Sequence, residues 1–387
     1  MLYVSKKKLM NINYDKIRPY TDKELVGAVK RISENPLIDN IYHYLYGENC
    51  DVKSQRNLIK SMKSVDDFQT KVVADIIASI VNKTIDELTY SGIENINDGK
   101  KHVLICNHRD IFLDPAIIQL IFYRNNSSIT EIAVGDNLIT SPFLEDICRS
   151  NRMIKVRRNG TPKELYMASN ELSGYIRNCV TSQKNSVWIA QGNGRAKEGN
   201  DNTEQGLLKM LDMSGENDFV SNFDELSLLP VSISYEYEPC AFLKAREVFI
   251  SSKGKYVKDK GEDFNSVLTG ITQKKGRVHF HFGSPITLDT IKKCSLYPKN
   301  KKFLELASVL DNSVNSNYKL WPNNYIAYDI INRTDTYAYK YDKLERESFI
   351  KYMEKGLENI SSIDSTLDIN ELRNRILSIY SNPIKMY

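Results

Sequence analysis

The segment Asn107-His108-Arg109-Asp110-Ile111-Phe112-Leu113-Asp114-Pro115 joins a short β-branched run to an apolar stretch of helical character. An imidazole at the carboxyl end of a strand, with a carboxylate in the first turn of the next helix, suits a general base. The carboxylate fixes the tautomer at one ring nitrogen while the other faces a substrate proton. The chain has only five histidines in 387 residues, so this placement is informative. A loop histidine can equally cap the helix or bond the backbone, and the residues alone leave both readings open. Two carboxylates compete for the ring: Asp110 in the loop and Asp114, which precedes proline at the expected helix start. First-turn backbone donors would hold a carboxylate at the second position, which favours Asp114.

Met153-Ile154-Lys155-Val156-Arg157-Arg158 reads as a short strand ending in two arginines. A guanidinium just past a strand end holds phosphate or carboxylate bidentately; Arg158 is the first choice for that role, Arg157 the second, and a solvated basic loop the competing reading. In Trp188-Ile189-Ala190-Gln191-Gly192-Asn193-Gly194-Arg195-Ala196-Lys197, glycines at a strand end let backbone amides approach an anion, and Arg195 or Lys197 can complete the cradle. Nucleotide readings of this stretch fail. Lys197 stands where a dinucleotide fingerprint needs its third glycine, and the chain has neither a Walker Gly-Lys-Ser/Thr nor a Gly-x-Ser-x-Gly elbow. Pro230, inside Leu228–Ser234, removes a ladder donor and predicts an edge strand or a bulge. His279 and His281 alternate onto one strand face; a metal would need a third ligand, so a structural role is expected for both.

These stretches, in this order, resemble the glycerolipid acyltransferase superfamily. Asn107-His108 and Asp114-Pro115 are similar to its first motif, in the bacterial form His-Arg-Asp-x-x-Leu-Asp, with five residues between His108 and Asp114 where the usual pattern has four. Met153–Arg158 resembles the second motif, and Gly194-Arg195 the third, usually Phe-Pro-Glu-Gly-Thr-Arg-Ser, with Asn193 at the glutamate position. Leu228–Ser234 resembles the proline-containing strand that helps wall the acyl site, which would give Pro230 that role. Ile17-Arg18-Pro19-Tyr20 and Asn324-Tyr325-Ile326-Ala327-Tyr328 also look like longer bacterial members.

The resemblance implies direct transfer of a fatty acyl group from acyl-CoA or acyl carrier protein to a hydroxyl of glycerol-3-phosphate or its 1-acyl derivative. His108 would be the base and Asp114 its partner. Arg158 or Arg157, Asn193, Gly194, Arg195 and Lys197 would bind substrate, without a metal or other cofactor. A lyso-aminolipid acceptor is the rival reading, because its carboxylate could use the same arginines. A catalytically silent lipid-binding relative is a third, permitted by the altered spacing and by Asn193.

The elements that must position these residues fall into three sections. Residues 1–98 read as helical: Thr21 and Glu24 form a capping box, and Leu37–Tyr46, Gln55–Met62 and Val65–Leu88 carry apolar residues at helical spacing. Residues 99–290 alternate short β-branched runs with helical stretches, which predicts an α/β domain with a mixed sheet flanked by helices. The expected strands are Val103–Cys106, Ile132–Val134, Met153–Val156, Val187–Ala190, Leu228–Ser234, Glu247–Ile250 and Val278–Phe282. The expected helices are Pro115–Tyr123, Pro142–Arg149, Pro162–Asn178 and Glu204–Met213. Residues 291–387 turn helical again.

A net charge of +4, from 53 basic against 49 acidic residues, argues against wholesale nucleic-acid binding. The six cysteines form no C-x-x-C pair and read as reduced thiols. No apolar run reaches the ~20 residues of a spanning helix, and no signal-like segment follows Lys6-Lys7-Lys8. The expectation is a cytoplasmic protein, peripherally bound to the inner face of the membrane through Lys6, Lys7, Lys8, Lys16 and Arg18. Its partners are an anionic lipid precursor and an acyl thioester; oligomeric state is not legible.

Overall fold

The structure, a computed structural model, describes residues 13–96, 99–259, 261–364 and 366–385. Its strands are β1 (Ile85–Ser91), β2 (Val103–Cys106), β3 (Glu131–Gly135), β4 (Met153–Val156), β5 (Val187–Ala190), β6 (Leu228–Tyr235) and β7 (Gly276–Phe282). They form one mixed sheet in the order β1-β7-β6-β2-β5-β3-β4. From β6 to β4 neighbouring strands are parallel, whereas β7 runs antiparallel to β6 and carries β1 parallel to itself.

The central strand β2 is buried along its whole length. Its period of two sends Leu104 and Cys106 into one core with the helices Ala74–Thr84 and Leu113–Arg124. Val103 and Ile105 enter the opposite core, with the helices Pro162–Thr181 and Lys301–Ser316. Cover on both faces explains why the run is uniformly apolar rather than alternating. Two smaller cores flank the sheet. The front helices bury Leu25, Val29, Ile32, Tyr42 and Ile59 together. The helices Ala241–Lys253, Pro322–Asn332, Lys343–Ile363 and Ile369–Lys385 share a core at the other end of the chain. The cap at Thr21 forms with both reciprocal bonds, and Thr161 repeats it ahead of Pro162.

Three expectations are corrected. The expected helix Val65–Leu88 ends at Thr84, and Ile85 passes directly into β1, so the front section closes on a strand of the sheet. Polar Asp86, Glu87 and Ser91 concealed it, as suits an edge strand. Glu247–Ile250 is not a strand but lies within the helix Ala241–Lys253, where Ala241, Ala245 and Phe249 recur every fourth residue on the buried side. Pro230 is neither at an edge nor at a bulge: β6 lies between β7 and β2, with Pro230 in regular register opposite Ile105. Its carbonyl accepts from Gly283 N at 2.9 Å. Gly283 N to Pro230 O is one half of an antiparallel bonded pair, so the proline forfeits only the reciprocal bond, one residue past the end of β7.

Candidate active site

The parallel strands β2 to β6 all point their carboxyl ends at one rim, where open α/β sheets carry their sites. Asn107 extends β2 by one residue through its side chain: Ile233 N donates to its Oδ1 at 2.7 Å, and its Nδ2 donates to Ile233 O at 2.9 Å. That clamp projects His108 beyond the sheet. Its Nδ1 lies 2.8 Å from Asp114 Oδ2, its ring meets the Trp188 indole edge-on at 5.5 Å, and its carbonyl accepts from Ala196 N at 2.8 Å. The imidazole keeps 13% of its surface open to solvent, while Asp114 has none.

Asp114 sits in the first turn of its helix and is held from every side. Oδ2 also accepts from Arg109 N at 2.6 Å and Asp110 N at 2.9 Å, and Oδ1 accepts from Tyr235 Oη at 2.7 Å. Four donors on one carboxylate fix its orientation. Asp110 does not compete for the ring. Its Oδ1 accepts from Phe112 N at 2.9 Å and Leu113 N at 2.7 Å, a tight turn that absorbs the extra residue between His108 and Asp114. Its Oδ2 is buried without a hydrogen-bond partner against Gly270. Burial, followed by the charge of Asp114, raises the Asp110 carboxyl above the usual range, against the pull of the Leu113 and Phe112 amides and of Arg195.

Arg109 turns the opposite way from His108. Fully buried, it pairs with Asp201 and lies 3.5 Å from Glu238, which in turn pairs with Lys244 at 2.5 Å. Lys244 Nζ also donates to Arg109 O at 2.7 Å. Such a cluster fixes the back of the loop, and deleting one partner strands the others at a cost of about 3–5 kcal/mol.

The four expected cations separate into two kinds. Arg157 leans away to Glu164 at 3.1 Å, at the start of the helix Pro162–Thr181, and Lys197 is paired with Glu247. Arg158, in contrast, donates to the amide oxygen of Asn193, and Arg195 keeps a buried terminal nitrogen without a hydrogen-bond partner. Asn193 is further fixed by its own N–H, which donates to Glu204 Oε1 at 2.7 Å. Gly194 has φ +101 with open space where a side chain would stand. The glutamate expected at position 193 is thus replaced by a neutral partner that orients Arg158 without cancelling its charge, while the nearby carboxylate comes from Glu204.

Pro230 lies in the body of the sheet, three residues short of the level of His108, beside Gly283 and Ser313. His279 and His281 sit on β7, two strands from β2, where both rings meet Ser91 of the edge strand β1. Arg18 is held by Asp15 and Glu24 and offers no free charge, in contrast to its expected role at the membrane. Lys6, Lys7 and Lys8 lie outside the described residues. All six cysteines are unpaired. Among the described residues, no group of three or more His, Cys, Asp or Glu side chains is arranged to hold a metal. Sequence reading missed Tyr235 and Glu204, whose partners are remote in sequence; only the position of Tyr235 at the end of a strand bound for the rim could have drawn attention to it.

Residues 87–234 match the family model described as Acyltransferase, a stretch that holds His108, Asp114, Arg158 and Arg195. By that match the chain is an acyltransferase enzyme. Among solved structures it is similar to the 1-acyl-sn-glycerophosphate acyltransferase PlsC from Thermotoga maritima, at 12% identity and a TM-score of 0.40, over 76% of this chain and 92% of that one. No curated protein matches the sequence.

Proposed function

We propose that this chain acylates a hydroxyl of glycerol-3-phosphate or 1-acyl-glycerol-3-phosphate, taking the acyl group from acyl-CoA or an acyl carrier protein. The observation that carries the reading is the bond between His108 Nδ1 and Asp114 Oδ2 at 2.8 Å. With Nδ1–H committed to the carboxylate, Nε2 is the nitrogen left to accept a proton. The acceptor hydroxyl gives its proton to Nε2 as its oxygen attacks the thioester carbonyl, and Asp114 stabilises the imidazolium. Collapse of the tetrahedral intermediate breaks the carbon–sulfur bond, and the departing thiolate takes the proton back from Nε2. Arg195 and Arg158 hold the acceptor's anionic group so that its hydroxyl meets the base, positioning worth several kcal/mol of barrier. Among the described residues no helix is long and apolar enough to cross a membrane. The proposed encounter with lipid is at the inner membrane surface, from the cytoplasm.

The test is a mass-spectrometric product scan of the purified full chain given mixed lyso-lipids with acyl-CoA or acylated carrier protein. Thioester loss that requires glycerol-3-phosphate or its 1-acyl derivative is the expected result. Product formed only from a lyso-aminolipid would move the acceptor class from phosphate to carboxylate. Lipid bound without thioester loss would mean a silent relative, and the enzymatic reading would fall.

A further inference from the structure

Asp114 presents two oxygens to the site, and they are treated differently. Oδ2 faces the imidazole and two backbone amides, while Oδ1 faces the phenol of Tyr235 at 2.7 Å. Tyr235 is the last residue of β6, is 1% exposed, and spans 121 positions of sequence to reach the carboxylate. A buried tyrosine needs an acceptor for its hydroxyl, which alone would make this a packing detail. Two further facts argue for more. Asn107 clamps Ile233, two residues before Tyr235, so the strand that carries the phenol is tied to the loop that carries His108. Burial, followed by the charges of Asp114 and Asp110, also keeps the phenol far above its ordinary range, so it remains a donor throughout any working pH.

We propose that Tyr235 is a positioning residue that sets the basicity of His108 through Asp114, making the dyad a hydroxyl–carboxylate–imidazole relay. The relay rests on the proposed function for its role in turnover, but its effect on the imidazole does not. A donor on Oδ1 withdraws charge from the carboxylate and makes it a weaker partner for the imidazolium. Loss of that donor makes Asp114 more basic, and His108 then holds its proton to higher pH. The hydroxyl so prevents the dyad from binding its proton too tightly to act as a base near neutrality.

Other titratable or charged groups surround the pair: Asp110 on the same loop, Cys106 at the end of β2, Arg195 after β5, Glu238 after β6 and Lys275 before β7. Burial raises the Asp110 carboxyl and lowers Lys275 to about 8, so measurements are repeated in Asp110→Asn and Lys275→Met backgrounds. The experiment is an NMR titration of the His108 ring in the isotopically labelled full chain, alongside the pH dependence of kcat/KM. Tyr235→Phe should move the His108 midpoint and the acid limb of the rate profile upward by about one unit, as loss of one hydrogen bond to a charged group implies. On the acid limb of the profile, turnover at fixed pH should drop roughly tenfold with the acceptor KM unchanged.

Tyr175 provides the matched control, since its buried hydroxyl donates to Glu131 at 2.7 Å away from this loop. Tyr175→Phe should cost stability without moving the midpoint. Should Tyr235→Phe not fold, Tyr235→3-fluorotyrosine keeps the shape while strengthening the donor, and must shift the midpoint downward. A midpoint unmoved by either Tyr235 substitution, or moved equally by Tyr175→Phe, overturns the relay. A shifted midpoint in a protein that transfers no acyl group would leave the relay standing and remove the proposed function instead.

Discussion

Two histidine sites on the same sheet show what a carboxylate does for an imidazole. At the β2 rim, His108 meets Asp114, itself fixed by two amides and a phenol. On the outer strands, His279 Nδ1 meets Thr89 Oγ1 at 2.8 Å and its Nε2 meets Ser91 Oγ at 3.2 Å; Ser91 Oγ also meets His281 Nδ1 at 2.8 Å. Hydroxyls satisfy a neutral ring but add no charge to stabilise a protonated one. Burial, followed by the charges of Lys319 and His281, accordingly pushes His279 down to about 4. His281 is lowered too, by burial against the opposing charge of Glu94. Both sites are well made, yet only the first sets a carboxylate against the ring. The identity of the partner, not the presence of a partner, separates a base from a structural histidine.

The largest effect that could break this contrast is on turnover. His108→Ala and Asp114→Asn should each lower kcat by about 10²–10⁴-fold with the fold intact by circular dichroism, whereas His279→Ala and His281→Ala should stay within about twofold. Asp110→Asn should cost roughly tenfold or less, because its carboxylate bonds the turn and not the ring. An Asp114→Asn enzyme near full activity beside a dead Asp110→Asn enzyme would reverse the assignment. A smaller effect separates the cations. Arg195→Ala should raise KM for an anionic acceptor about 10- to 100-fold and leave KM for the thioester unchanged, as loss of a charge-assisted contact would. Lys197→Ala and Arg157→Ala should shift it less than about threefold, since each already has a carboxylate partner. Equal effects from all three would dissolve the distinction between paired and available charge.

The smallest effect is on stability. The folded His279 resists protonation that the unfolded chain accepts between pH 6.5 and about 4. Its contribution to stability is therefore present above pH 6.5 and is lost as pH falls through that window. His279→Gln should flatten the acid-side decline in Tm there, and an unchanged slope would show that the ring protonates freely.

Local rules made much of this legible from residues. The Thr21 cap, the buried run of β2 and the helices expected from Pro115 and Pro162 all depend on neighbours a few positions away. So does the turn at Asp110 that lets Asp114 reach His108. What escaped depends on distance along the chain. β1 is polar because one edge faces solvent, and nothing nearby marks its pairing with β7. Glu247–Ile250 is β-branched enough to pass for a strand, but its core partners lie on helices beyond residue 320. Lys197 looked available until the fold brought Glu247 beside it, and Tyr235 carried no signal until Asp114 came within reach. Pro230 misled because the single bond it forfeits falls one residue past the end of the neighbouring strand, where the register is kept.

The parallel pairing of β1 with β7 also has a bearing on how the chain is made. Ile85 and Gly276 are register partners, so the front helices emerge from the ribosome tethered to a strand whose mate has yet to be synthesised. During that interval β1 presents an open edge, and β6 lacks its antiparallel neighbour on the β7 side. At roughly 5–20 residues per second the wait is on the order of ten seconds or more, long enough for a nascent edge to find the wrong partner. The acidic residues Asp86 and Glu87 lie on a strand with both edges open during that interval and one still open in the finished sheet, where charge on an edge disfavours pairing with another chain.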